Sequence, residues 1–315
     1  MACEQQSATF DRAVLLSEGS SLPRFKELQG SGDVTISIPT RTVYPEPNQS
    51  QSIALPDSSK PPLFILLNFT NYTSTDGLIT LTYLLDDEKS YFVLPDRERN
   101  IEGLKWLMEV ADIKTKENFT VGWCGYVGES LGISGATGSG ILLANYLLSK
   151  TSPIDKALML YVVLHEAFHQ LQTYYPDEPT WIQESLASYY GTRAVEVIMP
   201  EEGASLMDRF QKEADRFPKG LLTIHSAVEK GDRSEYAAFY MKGVAFWAEV
   251  DKTLRVQSGS LDSYLKDILL NMKYDQQGDP FNLNRILNLS EEAWLSLRAQ
   301  FLLSKDEKKC FQDPS

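Results

Sequence analysis

From Pro153 onward, apolar positions recur every three to four residues. This pattern predicts helices over 154–173, 179–197, 201–216, 235–257, 261–273 and 290–304. Before residue 95 the period is different. Short β-rich runs at 34–38, 63–67, 78–83 and 91–94 alternate with proline and serine clusters, as at 45–52 and 56–62. They predict a small antiparallel β-sandwich. A short helix near 101–111 and a strand over 119–123 then lead to a glycine-rich segment, Gly132 to Leu143. The expected class is α+β, with a tether at 1–30, a sandwich-like β-rich domain at 31–97, and a larger domain at 98–315 whose C-terminal half is mostly helical. No internal repeat is visible.

The first of the long helices carries His165-Glu166-Ala167-Phe168-His169. Residues four apart share one helix face, so both imidazoles can point at one metal ion. The chain has three histidines, and two of them are here. With histidine so scarce, chance produces such a pentad in on the order of one chain in a thousand. Zinc takes neutral imidazole and carboxylate ligands and, in catalytic sites, leaves one position for water. Glu166 projects from the adjacent edge, where it can serve as the base for that water. One Zn2+ per chain is expected.

The third ligand is sought downstream. Tyr174-Tyr175-Pro176-Asp177 breaks the helix, Asp177 is placed to cap the next one, and Pro179 suits its first turn. Glu184 lies about one turn into that next helix, with 14 residues (170 to 183) between it and the pentad. Two helices joined by a short turn can bring its carboxylate to the two histidines. The plain alternative is a solvent-facing helix glutamate.

Trp181-Ile182-Gln183-Glu184-Ser185-Leu186-Ala187-Ser188-Tyr189-Tyr190, following the pentad, resembles the gluzincin metallopeptidases. It is similar to the glycyl aminopeptidases that carry a PDZ domain and to the aminopeptidase N group. The resemblance covers roughly residues 130 to 305 and implies a gluzincin-like catalytic domain, with Glu184 as third zinc ligand. Tyr240-Met241-Lys242-Gly243 is similar to the Tyr-x-Lys-Gly segment of aminopeptidase N relatives. It implies that the Tyr240 hydroxyl donates to the oxyanion of the tetrahedral intermediate. Two features depart from the pattern. The stretch corresponding to the amine-binding Gly-x-Met-Glu-Asn segment, Gly132 to Leu143, holds no acidic residue, and the spacing from the pentad to Glu184 is shorter than in aminopeptidase N. In zincins an edge strand beside the metal helix binds substrate backbone by strand addition. Gly135 to Tyr146 reads either as that strand, with glycines allowing close approach, or as an ordinary hairpin.

Composition narrows the function. A net charge of −13 argues against a nucleic-acid surface. No stretch reaches the roughly 18 apolar residues of a membrane helix. Cys3, Cys124 and Cys310 are too few and too scattered for a disulfide framework or a metal cluster. Met1-Ala2-Cys3, followed by polar residues, fits an extracytoplasmic lipoprotein anchored through Cys3 as well as it fits an ordinary cytoplasmic start. The sequons at Asn68, Asn71 and Asn118 carry little weight. His225 reads as a partly buried loop histidine or as a second transition-state donor, and Lys242 as support for its helix. Glu166 and Tyr240 are therefore the expected catalytic residues, and His165, His169 and Glu184 the metal ligands, of a zinc peptidase acting on peptide or protein. A zinc hydrolase of a non-peptide bond (ester or epoxide) and an inactive zincin-fold binding protein are the alternatives.

Overall fold

The run at 78–83 does form a strand, but its partners are not those the alternation implies. In the computed structural model, which describes residues 8–10, 13–17, 35–37, 42–45, 52–54, 63–125, 133–138, 140–176 and 178–304, Ile79–Leu85 pairs in parallel with Glu117–Gly125. The chain divides into two compact units, Met1–Leu104 with Thr115–Gln170, and Lys105–Lys114 with Leu171–Ser315.

In the first unit, β1 (Ala8–Phe10), β2 (Ala13–Ser17), β4 (Thr42–Tyr44) and β6 (Phe64–Leu67) form an antiparallel sheet in the order β1-β2-β6-β4. Strands β3 (Thr35–Ser37) and β5 (Ser52–Ala54) pair with each other. A second, five-stranded sheet runs β10-β11-β9-β8-β7, built from β7 (Thr70–Asp76), β8 (Ile79–Leu85), β9 (Glu117–Gly125), β10 (Gly135–Gly138) and β11 (Ile141–Tyr146). The β7–β8 hairpin turns through Gly77 and Leu78. Gly77 has φ +61°, the left-handed conformation that the first position of such a turn favours. Helix α1 (Arg97–Val110) connects β8 to β9, as parallel neighbours require. Every residue of β11 is buried, as is 121–124 of β9. Central parallel strands covered on both faces read this way.

The antiparallel sandwich expected over 31–97 is thus corrected. Its strands go to different sheets, and β8 belongs to a mixed sheet that extends past residue 97. Alternation reports burial, not the partner. The stretch 1–30 read as a tether contains β1 and β2. The strand expected at 91–94 is absent, and 3-10 turns cover Glu88–Phe92 instead. The fold is mixed α/β.

The helices α2 (Pro153–Gln172), α3 (Thr180–Ile198), α4 (Pro200–Ala214) and α6 (Ala238–Val256) lie within a few residues of expectation. Pro200 opens α4, with Glu201 and Glu202 in its first turn, both favourable at a helix N-terminus. The span 261–273 resolves into a 3-10 turn (Leu261–Tyr264) and α7 (Leu265–Asn271), and 290–304 ends in a π-helical turn (Arg298–Leu302). Two helices had no clear signal: α5 (Leu221–Glu229) and the single turn α8 (Leu283–Ile286). The latter precedes α9 (Glu291–Leu297), capped by the Ser290 hydroxyl accepting from the Ala293 N–H at 3.2 Å. Among the described residues no helix is long and apolar enough to cross a membrane.

The second unit packs around Trp181, Tyr189, Tyr190, Phe239, Phe246 and Trp247, all fully buried. Helices α3 and α6 approach closely at Gly243, where a Cβ would stand 2.3 Å from the Ser185 Cβ. The Ser185 hydroxyl accepts from the Trp247 indole at 2.8 Å, so neither side chain can move aside freely. Gly243→Ala is expected to overpack this crossing and cost about 1–3 kcal/mol. Denaturant unfolding monitored by Trp fluorescence measures it, and an unchanged midpoint would show that the crossing has slack.

Candidate metal centre

The helical period that makes α2 also aims the pentad. His165 and Glu166 are buried, and His169 is half-buried. One turn apart on the same face, the two imidazoles bring their Nε2 atoms to 3.1 Å. Two nitrogens bound tetrahedrally at about 2.0–2.1 Å to one zinc lie about 3.3 Å apart, so this spacing suits a shared small cation. Glu184 is half-buried on α3. Its carboxylate oxygen and the two histidine nitrogens all lie within 4.8 Å of one another. Two imidazoles and a carboxylate are a donor set that zinc takes. The residues present fit the metal.

The cap expected at Asp177 falls outside the described residues. Pro179 occupies the N-cap of α3 and makes no side-chain cap hydrogen bond. Helix α3 begins at Thr180, and Glu184 lies one turn into it.

Glu184 is held from within its own unit. The Tyr236 hydroxyl donates to Glu184 Oε1 at 2.8 Å. Burial, and then the facing carboxylate, push the Tyr236 hydroxyl well above the usual phenol range, so it remains a donor. Tyr240 follows one turn later, its ring centre 5.8 Å from that of Tyr236, and hydrogen-bonds to it. Tyr236 was not singled out in the sequence, although its i, i+4 relation to Tyr240 was there to be read. Partners of metal-binding carboxylates orient the ligand and raise metal affinity.

The rest of the Tyr-x-Lys-Gly segment is structural. Lys242 is buried, and its Nζ donates to the carbonyls of Phe217 at 3.0 Å and Lys219 at 2.6 Å, pinning the turn between α4 and α5. His225 is a helix residue of α5, not a loop histidine. It is buried near Phe239, with 6.5 Å between ring centres, and against the Gly278 backbone, where a Cβ would stand 2.8 Å from its Cδ2. Burial lowers its pKa, against the opposing pull of Glu229. These contacts are those of a packed histidine.

Glu166 is met by the five-stranded sheet. Strand β10, the terminal strand of that sheet among the described residues, lies against α2, and the Thr137 hydroxyl donates to Glu166 Oε2 at 2.5 Å. Gly135 permits the approach, since a Cβ there would stand 2.5 Å from Val162 Cγ1 and 3.1 Å from Glu166 Cγ.

No protein-family profile matches the chain, and no curated protein does. Solved structures do. An aminopeptidase N family protein from Idiomarina loihiensis matches with TM-score 0.54 at 14% identity, over 75% of this chain and 46% of that one. Native leukotriene A4 hydrolase from Saccharomyces cerevisiae matches with TM-score 0.55 at 13% identity, over 84% and 44%. An M1 zinc metallopeptidase from Deinococcus radiodurans matches with TM-score 0.50 at 15% identity, over 86% and 61%. The chain therefore spans about half the length of the first two and under two thirds of the third. At these identities the likeness is one of fold, and it lies with the M1 zinc metallopeptidases and leukotriene A4 hydrolase, in line with the gluzincin resemblance.

Glu184→Gln is expected to leave the fold intact and to weaken zinc retention by at least the roughly 10–100-fold that even outer-shell partners contribute. Zinc content after dialysis against a mild chelator measures it. Stoichiometric retention would remove Glu184 from the ligand set.

Proposed function

We propose that the chain is a zinc-dependent peptidase, with His165, His169 and Glu184 as ligands and Glu166 as general base. The observation that carries this reading is the convergence of the two Nε2 atoms and the Glu184 carboxylate, with Glu166 one residue from the first ligand. A zinc held there would act as a Lewis acid and lower the pKa of water. Glu166 takes the proton of the attacking water and returns it to the leaving amine. Tyr240 donates to the oxyanion as it forms. Strand β10 offers its outer edge to an extended peptide, which adds as a further strand. Peptide as substrate is supported by the metallopeptidases among the structural neighbours.

A hydrolase of a non-peptide bond is the second reading, because leukotriene A4 hydrolase is among those neighbours. Metal analysis combined with a peptide-library digest read by mass spectrometry separates the two. One zinc per chain with defined cleavage positions is the expected result, and those positions give the exo- or endopeptidase mode. A zinc-loaded protein that leaves every peptide intact would sink the peptidase reading and pass the question to ester and epoxide substrates.

A further inference from the structure

Strand β10 pairs with β11 so that Gly135 faces Ala144 and Thr137 faces Leu142. Side chains two apart in a strand share a face. Gly135 abuts Val162 and Glu166 of α2, so Thr137 is carried to the same helix, one step further along. Its hydroxyl sits 2.5 Å from Glu166 Oε2 and 3.2 Å from the Glu166 carbonyl. A hydroxyl has one proton, and the shorter contact to the stronger acceptor takes it. Threonine is β-branched, which limits its χ1 and keeps the donor aimed.

Resting on the peptidase reading above, we propose that Thr137 is a positioning residue that fixes the carboxylate of the general base Glu166. The hydrogen bond ties down Oε2 and leaves Oε1 as the atom that takes the proton from the attacking water. A glutamate has three side-chain torsions, and an untethered base would spend much of its time misdirected. Small misplacements of reacting groups are costly. Thr137 stands within the strand proposed to bind the peptide backbone, so that strand also sets the base.

The test compares Thr137→Val, which keeps shape and removes the proton, with Thr137→Ser, which keeps the donor. Thr137→Val is expected to lower kcat roughly 10- to 100-fold, with KM within about twofold and zinc content unchanged. Thr137→Ser should recover most of the loss. If Thr137→Val does not fold, Thr137→Ala against Thr137→Ser reads the same difference. A second readout uses the zinc-free protein and no activity. Thr137→Val should lower the melting temperature by about 2–4 °C in the wild-type background and hardly at all beside Glu166→Ala, because the two changes remove one bond. Wild-type turnover in Thr137→Val, or melting shifts that simply add, would overturn the proposal. If the wild-type protein cleaves no peptide, the peptidase reading fails, and the melting cycle still decides whether Thr137 holds Glu166.

Discussion

Glu166→Gln will abolish turnover and keep its zinc. The amide matches the carboxylate in size and can still meet Thr137, so the strand–helix contact at Gly135 survives. What is lost is the ability to accept a proton. General base catalysis is typically worth about a hundredfold to ten-thousandfold, and that is the expected fall in kcat. Glu166 is not among the three donors, so metal content should stay at that of the wild type. Turnover within a few-fold of wild type on any cleaved peptide would place the base elsewhere. Loss of zinc would make Glu166 a ligand and overturn the division of roles.

The second large effect is expected at Tyr240. Removing its hydroxyl in Tyr240→Phe should cost roughly two to three orders of magnitude in kcat, as loss of one oxyanion donor does. That bond strengthens as the oxyanion forms, so KM should change little. The hydrogen bond between Tyr240 and Tyr236 makes a control necessary, because Tyr236 in turn holds Glu184. Tyr236→Phe should show the other signature, with weaker zinc retention and activity recovered by added zinc. If Tyr240→Phe behaves like Tyr236→Phe, or lowers only the melting temperature, Tyr240 supports the ligand shell and is not the donor.

The helical half was legible because long amphipathic segments state their period many times over. The helices α2, α3, α4 and α6 came within a few residues of their observed ends. The ligand pair was legible for the same reason, since i, i+4 spacing is a local property of one helix. Sheet partners were not. Nothing in 78–83 says that β8 will pair with a strand that begins 38 residues later, with Ile79 opposite Glu117. The dense short turns between 91 and 94 carry the same apolar residues as a strand, and so were misread. Helix α5 is nine residues long and so states its period barely twice, which hid it and made His225 look like a loop residue. Thr137 was invisible for a different reason. Its importance lies in a contact across 29 residues, and only the close approach at Gly135 reveals it.

The five-stranded sheet also governs how the chain must be made. The β8–β9 and β9–β11 pairings are parallel, so neither can zip through a tight turn as the β7–β8 and β10–β11 pairs can. Each parallel pairing waits for the closure of a long loop, which slows folding. Meanwhile Ile141–Tyr146, buried along its whole length in the finished protein, is an apolar strand that can pair locally with β10 alone. Such a segment, exposed while the sheet is incomplete, is where newly made chains stick to one another. Recovery of soluble protein should therefore fall with synthesis rate and temperature before any change in the stability of the finished fold is felt.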